Sequence, residues 1–105
     1  MKSLDIKAGE KIIEENTEAT HVYLIKKGEV VVKYGDHEEI LEEGNVFGIE
    51  SLVGENYQEN AIARTDVKLN QFSPEEFKEL YAGTDVEKKA LKYYTKRTMK
   101  LLGWI

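Results

Sequence analysis

Short apolar runs broken by turn residues fill the chain from Asp5 to about Phe72 and limit what it can fold into. Val, Ile, Tyr and Phe concentrate in these runs, as in HVYLIKKG, EVVVKYGD and AIARTDVKLNQF. β-branched and aromatic residues favour strands, and regularly spaced turn residues favour antiparallel connections between them. The turn signals lie at Gly9, Gly28, Gly35, Gly44 and Gly54. The pattern predicts a mainly β fold, either a sandwich or a small barrel.

One hairpin can be located within this region. The run EVVVKYGDHEEIL has two strand-like halves around Gly35 and Asp36. Glycine adopts the positive φ that a tight reversal needs, so the sequence predicts that the chain turns back there.

The pattern changes to a helical one at Ser73. Ser73 is a good helix N-cap, Pro74 suits the first helical position, and Glu76 stands at the capping-box offset. Gly83 ends this short helix. We therefore divide a single domain into a β part, residues 1–72, and a helical part, residues 73–105.

A second, longer helix is predicted from a cap at Thr84 or Asp85 through VEKKALKYYTKRTMKLLGWI, where apolar residues follow three- and four-residue steps. Twenty such residues would form a helix of about 30 Å, which is long for so small a body. Its apolar end needs a partner, and a second copy of the helix is the simplest one. We predict a homodimer; the alternative is a helix packed only on its own β part. The predicted dimer face comprises Val86, Ala90, Tyr93, Tyr94, Arg97, Leu101 and Trp104.

Composition excludes several classes of protein. The chain has no cysteine, which removes disulfides, thiolate metal sites and thiol catalysis. It has no signal-peptide core and no run near the roughly 18 apolar residues of a membrane span, so we expect no membrane and a cytoplasmic location. The net charge is −5, with acidic residues concentrated in residues 36–60 and basic ones in the last fifth. We interpret the basic helix as a solvated face that complements the acidic β part, rather than a nucleic-acid site.

Catalytic and metal sites find little support in the sequence. Cupin-type metal sites need two His one residue apart with a further His and a Glu, whereas His21 and His37 lie in separate turns. Ser51 does not stand in a nucleophile-elbow motif. We expect no catalytic residue, no metal, no cofactor and no enzyme activity; the alternative, a small metal-dependent barrel enzyme, would carry bound metal.

The order of the motifs resembles the cyclic-nucleotide-binding domain, in particular the sensor half of transcription regulators of the catabolite activator protein (CRP/FNR) type. The resemblance extends from Ala8 to about Leu102. The matching motifs are G-E-x-I at 9–12, Y-L-I-x-x-G-E-V at 23–30, G-x-x-F-G at 44–48 and S-P-E-E-F at 73–77. It implies a double-stranded β-helix (jelly-roll) barrel, a short helix and a long dimerisation helix.

The resemblance also bears on partners. In the family a separate helix-turn-helix module after the long helix reads DNA, and the chain stops at Ile105, where that module would begin. We therefore expect no DNA-binding module in this chain. Arg97 and the pair Leu101 and Leu102 fall where the family's long helix closes over the ligand pocket, and leucine cannot hydrogen-bond a purine.

The stretch from Gly44 to Asp66 resembles the family's phosphate-binding cassette but lacks its main ligands. In the family a Gly precedes a Glu that binds the ribose hydroxyl, and a later Arg-Ser/Thr-Ala triplet binds the cyclic phosphate. Here Gly48 matches the Gly, Ile49 stands in place of the Glu, and Glu59-Asn60-Ala61 stands in place of the triplet.

Replacing Arg with Glu changes the chemistry of such a site. Arg offers phosphate a full charge and two donors, whereas Glu offers only acceptors. At about 4 Å and an effective dielectric near 20, the change is worth several kcal/mol, enough to abolish micromolar binding. A one-residue shift would align Glu50 with the ribose-binding Glu, and Glu50 could also cap the helix that follows Gly48. Neither arrangement supplies the missing Arg.

The sequence therefore predicts a non-catalytic sensor domain that does not bind cAMP or cGMP specifically. Two alternatives stay open: an interaction module whose pocket is filled and holds no ligand, and a genuine cAMP-binding domain in which backbone amides with Arg64 or Arg97 replace the lost Arg. Another small-molecule ligand also stays open. The altered cassette comprises Gly48, Ile49, Glu50, Ser51, Leu52, Glu59, Asn60 and Ala61.

Overall fold

A computed structural model describes all residues, 1–105. Eight strands precede two α-helices, and a short 3₁₀ helix connects the sixth and seventh strands. The strands are β1 (Lys2–Ile6), β2 (Lys11–Ile13), β3 (Val22–Lys27), β4 (Val30–Tyr34), β5 (His37–Leu41), β6 (Val46–Phe47), β7 (Asn60–Ala63) and β8 (Val67–Phe72). The 3₁₀ helix is Ile49–Val53, and the α-helices are α1 (Pro74–Tyr81) and α2 (Asp85–Leu101).

The strands form two antiparallel sheets of four strands each, in the orders β1-β8-β3-β6 and β2-β7-β4-β5. This arrangement confirms the mainly β, jelly-roll-like fold that the sequence predicts. The predicted hairpin is also confirmed, because β4 and β5 pair in register up to Tyr34 and His37, with Gly35 and Asp36 between them.

The core lies in two layers, and β3 contributes to both. Tyr23 and Ile25 belong to an apolar cluster shared by the two sheets, whereas Val22 and Leu24 belong to a second cluster with Phe77 of α1 and Ala90 of α2. Successive side chains of a strand point to opposite faces. The four-residue apolar run of β3 therefore packs against the other sheet on one face and the helices on the other.

The predicted capping box of α1 is confirmed. The amide of Glu76 donates to the Ser73 hydroxyl at 3.2 Å, and the amide of Ser73 donates to the Glu76 carboxylate at 3.0 Å. The amino group of Met1 also donates to this carboxylate. The hydrogen bond from Met1, followed by that from the amide of Ser73, lowers the pKa of Glu76 to about 2.

The carboxyl end of α2 is fixed to the β4–β5 hairpin. Lys100 pairs with Glu39, and the carbonyl of Lys100 lies 3.2 Å from Nε2 of His37. A methyl carbon of Leu101 would lie only 2.9 Å from a Cβ on Gly35, so the turn and the helix end are in close contact. These contacts set the position of α2 on the sheets. Neither α-helix combines the length and apolar character of a membrane-spanning segment.

Candidate functional site

The loop between β6 and β7 turns at Gly48. This residue has φ 81° and precedes the 3₁₀ helix, and a Cβ there would lie 3.0 Å from the carbonyl oxygen of His21. The Tyr57 hydroxyl donates to the same carbonyl at 2.8 Å. The loop is therefore packed directly on the start of β3, and it directs the residues that follow toward the interior.

Two glutamates of this loop are fully buried. Glu50, in the 3₁₀ helix, and Glu59, just before β7, each have 0% exposure. Oε2 of Glu50 accepts a 2.7 Å hydrogen bond from the amide of Gln58, and Oε2 of Glu59 accepts one of 2.7 Å from the Tyr93 hydroxyl on α2. Buried carboxylates require compensation by donors or positive charge. One amide and one phenol leave that compensation incomplete.

Arg97 of α2 supplies the positive charge. Its side chain is 1% exposed, and Nη1 lies 3.0 Å from Oε2 of Glu59 and 3.3 Å from Oε2 of Glu50. Nη2 donates to the side-chain oxygen of Gln58 at 3.3 Å, and the guanidinium lies 4.6 Å from the centre of the Tyr94 ring. A planar guanidinium with several donors suits such a set of acceptors. We call Glu50, Gln58, Glu59, Tyr93 and Arg97 the interior cluster.

Carboxylates outnumber cations in this cluster, because one guanidinium faces both Glu50 and Glu59. Burial raises the pKa of Glu59, and the charge of Arg97 lowers it only in part, because the nearby charge of Glu50 acts in the same direction as burial. Burial by itself lowers the pKa of Arg97, but the charges of Glu59 and Glu50 raise it by more. The pKa of Arg97 is therefore above its ordinary value. Burial and then the charge of Glu59 raise the pKa of Tyr93 as well, so its hydroxyl stays a donor.

Three buried polar atoms of the cluster have no hydrogen-bond partner. They are Oε1 of Glu50, Oε1 of Glu59 and Nε of Arg97. Buried polar atoms are usually paired, and an unpaired one is costly. The cluster therefore has two acceptor oxygens without a donor, and one N–H of Arg97 without an acceptor.

The other residues of the predicted cassette have mainly structural surroundings. Ile49 and Leu52 pack in the apolar cluster with the helices, and Ala61 packs in the core shared by the sheets. The Ser51 hydroxyl donates to the carbonyl of Gly48 at 3.2 Å, and the Asn60 side chain accepts from the amide of Glu15 at 2.9 Å. Glu50 does not cap the 3₁₀ helix with its side chain, contrary to the option considered from sequence, because its carboxylate bonds to Gln58 and Arg97.

The predicted dimer face divides into a covered part and an exposed part. Ala90, Tyr93 and Arg97 face the β part of the same chain, and Val86 and Tyr94 pack partly in the apolar cluster with α1. Leu101 and Trp104 are exposed, Trp104 at 70%. A surface groove near the end of α2 is lined by Tyr94, Thr95, Thr98, Met99, Leu102 and Trp104.

Sequence reasoning did not identify Gln58 or Tyr93 as members of the pocket. Gln58 stands in no motif, whereas Tyr93 and Arg97 lie on one helical stripe that the sequence pattern predicts to contact a partner. The position of Arg97, where the family's helix closes over the pocket, was the usable signal. The two histidines have separate neighbours, Thr20 for His21 and Lys100 for His37, and no group of three or more His, Asp or Glu residues could hold a metal ion.

Comparison with known proteins agrees with this architecture. The family model for the cyclic nucleotide-binding domain matches residues 4–84. PKAR CBD2 with bound Sp-2Cl-cAMPS superposes with a TM-score of 0.78 at 21% identity, over 99% of this chain and 73% of that chain. The cAMP-bound PfPKA-R fragment gives a TM-score of 0.79 at 21% identity, over 99% of this chain and 38% of that chain.

The cAMP-bound form of the EAL enzyme Bd1971 is also similar, with a TM-score of 0.70 at 26% identity, over 97% of this chain and 29% of that chain. This chain thus spans less than two fifths of the length of two of these three proteins. At identities near one fifth, such similarity shows a shared fold and no more. Because the family model covers most of the chain and the two sheets and helices are in place, the chain belongs to the cyclic nucleotide-binding domain family.

Proposed function

We propose that this protein is a non-catalytic regulatory domain in which Arg97, rather than a cyclic nucleotide, holds the long helix against the β part. In this proposal cAMP and cGMP do not bind specifically. The observation that carries it is the double ion pair inside the fold, where Nη1 of Arg97 contacts both Glu50 and Glu59.

Electrostatics support the proposal. Glu59 stands where the family resemblance places the phosphate-binding Arg, and Glu50 lies within one residue of the ribose-binding Glu. Both carboxylates are buried, so a cyclic phosphate entering here would meet negative charge in a medium that screens it poorly. The only buried cation of the cluster, Arg97, is already paired with both carboxylates.

The low solvent exposure of the interior cluster gives independent support to the proposal that no nucleotide binds there. Arg97, Glu50 and Glu59 are each at most 1% exposed, so the interior cluster is closed to solvent. One alternative from the sequence was a pocket that is filled and holds no ligand, and apolar side chains are the usual filling of a protein interior. The filling is charged instead, and this is consistent with a helix fixed by an internal ion pair.

The exposed end of α2 supports a second part of the proposal, that the domain forms a homodimer. Leu101, Leu102, Trp104 and Ile105 are all at least 46% exposed. Exposed apolar residues grouped at one end of a helix favour an interface with another chain. A relationship to CRP/FNR-type transcription regulators rests on the motif order alone, and we propose it on that basis.

Calorimetric titration of the protein with cAMP and cGMP tests the ligand proposal. We expect no saturable heat with either nucleotide at millimolar concentration. A matched variant, Glu59→Arg combined with Arg97→Ala, restores the phosphate-binding charge and removes the internal occupant, and we expect cAMP to bind more tightly to it than to the wild-type protein. Saturable micromolar binding of cAMP to the wild-type protein would contradict the proposal.

A further inference from the structure

The interior cluster surrounds one guanidinium with oxygen acceptors. The guanidinium nitrogens of Arg97 contact carboxylate oxygens of Glu50 and Glu59 and the amide oxygen of Gln58, at 3.0 to 3.3 Å. The acceptors come from the segment between β6 and β7, whereas the guanidinium comes from α2. The β part therefore carries the complete acceptor set by itself, and the helix inserts the cation into it.

The acceptor set has more capacity than its occupant uses. Oε1 of Glu50 and Oε1 of Glu59 are buried and have no donor, and the cluster has two carboxylates for one cation. A free guanidinium has more N–H donors than a tethered one can direct at a fixed set of oxygens, because the aliphatic stem limits its orientation. A small guanidinium compound could therefore reach acceptors that Arg97 leaves unpaired.

The chemistry selects guanidinium over other ligand classes. Carboxylates bind guanidinium through two parallel hydrogen bonds, and a guanidinium is more weakly hydrated than an ammonium group and therefore easier to bury. The negative charge of both glutamates disfavours phosphate in the same place.

We infer that the β part of this domain contains a guanidinium-binding site in which Arg97 is the tethered occupant, and that a small molecule bearing a guanidinium group occupies it when Arg97 is absent or withdrawn. The inference rests on the proposed function, because it requires that Arg97 and not a nucleotide fills the pocket. A compound that displaced Arg97 would remove the contact that joins the middle of α2 to the loop.

Competition against Arg97 in the wild-type protein is a poor test. A group tethered by a short connection has an effective concentration in the millimolar range or above, so a weak free ligand competes badly. The experiment therefore uses Arg97→Ala, which removes the occupant and keeps every acceptor. The matched control is the triple variant Arg97→Ala, Glu50→Gln and Glu59→Gln, which has the same space and no carboxylate.

The measurement is the thermal unfolding midpoint of each variant in methylguanidinium chloride, methylammonium chloride or sodium chloride at equal millimolar ionic strength. A ligand that binds only the folded state raises the midpoint in a concentration-dependent way. We expect methylguanidinium to raise the midpoint of Arg97→Ala saturably, more than methylammonium does, and to leave the triple variant at its value in sodium chloride. If Arg97→Ala is unfolded on its own, recovery of its far-UV circular dichroism in methylguanidinium is the same positive result.

Equal responses of Arg97→Ala to the three salts would contradict the inference, as would continued unfolding in all of them. So would an equal gain by the triple variant. Failure of the proposed function gives a different result, because it appears as cAMP binding to the wild-type protein. A wild-type protein that ignores cAMP, together with a variant that does not distinguish the salts, contradicts only this inference.

Discussion

Nη1 of Arg97 lies 3.0 Å from Oε2 of Glu59, although 38 positions separate them in the sequence and neither side chain is more than 1% exposed. The pair joins α2 to the loop that precedes β7. It brings into the fold a charge that would ordinarily be on the surface.

Removing this cation should be strongly destabilising. Arg97→Met keeps most of the apolar stem but leaves two buried carboxylates without a positive charge, so we expect a loss of about 3–5 kcal/mol in the free energy of unfolding. The control is Arg64→Met, which breaks an exposed pair with Glu29 and should cost about 0–1 kcal/mol. Urea unfolding at neutral pH measures the loss of unfolding free energy in both variants. Equal losses would show that the buried ion pair contributes no more to stability than the exposed one.

Glu59 should give an unusual pH dependence. Its pKa in the folded state is raised above the ordinary 4.5, so the folded state holds a proton more tightly than the unfolded state does. Its contribution is fully present below that ordinary value and is lost as pH rises through the folded pKa. We therefore expect the stability of the wild-type protein, relative to Glu59→Gln, to fall as pH rises from acid toward neutral.

Glu39 provides a control of opposite sign. Burial opposes the effect, but hydrogen bonds from Lys100 and Tyr34 lower the pKa of Glu39 below its ordinary value. Its contribution is present above that value and is lost as pH falls. The stability of the wild-type protein relative to Glu39→Gln should therefore rise with pH, and urea unfolding over a pH series measures both variants. Parallel trends for the two glutamates would contradict this assignment.

Gly48 should be less replaceable than Gly54 at the other end of the 3₁₀ helix. Both have positive φ, so alanine at either costs about 1–2 kcal/mol in backbone strain. A Cβ at Gly48 also meets the His21 carbonyl at 3.0 Å, whereas one at Gly54 meets nothing within 4 Å. We expect the unfolding free energy of Gly48→Ala to lie below that of Gly54→Ala; equal values would indicate that the loop relaxes freely.

Trp104 should matter for self-association. It is 70% exposed at the end of α2, whereas Leu80 on α1 is 57% exposed and serves as the matched control. Sedimentation velocity should show a dimer for the wild-type protein and for Leu80→Ser, and a shift toward monomer for Trp104→Ser. A monomeric wild-type protein at micromolar concentration would refute the dimer proposal.

The sequence predicted those features that depend on nearby residues. The reversal at Gly35 and Asp36 follows from turn chemistry, and the capping box follows from the spacing of Ser73 and Glu76. Each of these two signals lies within four residues, and local propensity decides it.

α2 begins at Asp85, at the predicted boundary, but the Thr84 hydroxyl donates to the carbonyl of Tyr81 and does not cap the helix. The helix ends at Leu101 and not at the last residues of the predicted run.

The contents of the pocket depended on contacts between distant residues. Ala90, Tyr93 and Arg97 share one stripe of α2, and such a stripe can cover the protein's own β part or a second copy equally well. The periodicity places Arg97 on that stripe without showing which surface lies opposite. Only the fold shows that the opposite surface carries two buried carboxylates, Glu50 and Glu59, which make an arginine favourable there.

Nuclear magnetic resonance of the Arg97 guanidinium, recorded with and without excess cAMP, tests the central claim most directly. Arg97→Met assigns the signals by their loss. The account predicts separate, slowly exchanging N–H signals from a guanidinium held by Glu50 and Glu59, with no change on adding cAMP. Signals averaged like those of an exposed arginine would contradict the account, because they would show that the guanidinium is not held in the interior. Saturable displacement of the signals by cAMP would also contradict it, because it would show that the nucleotide can enter.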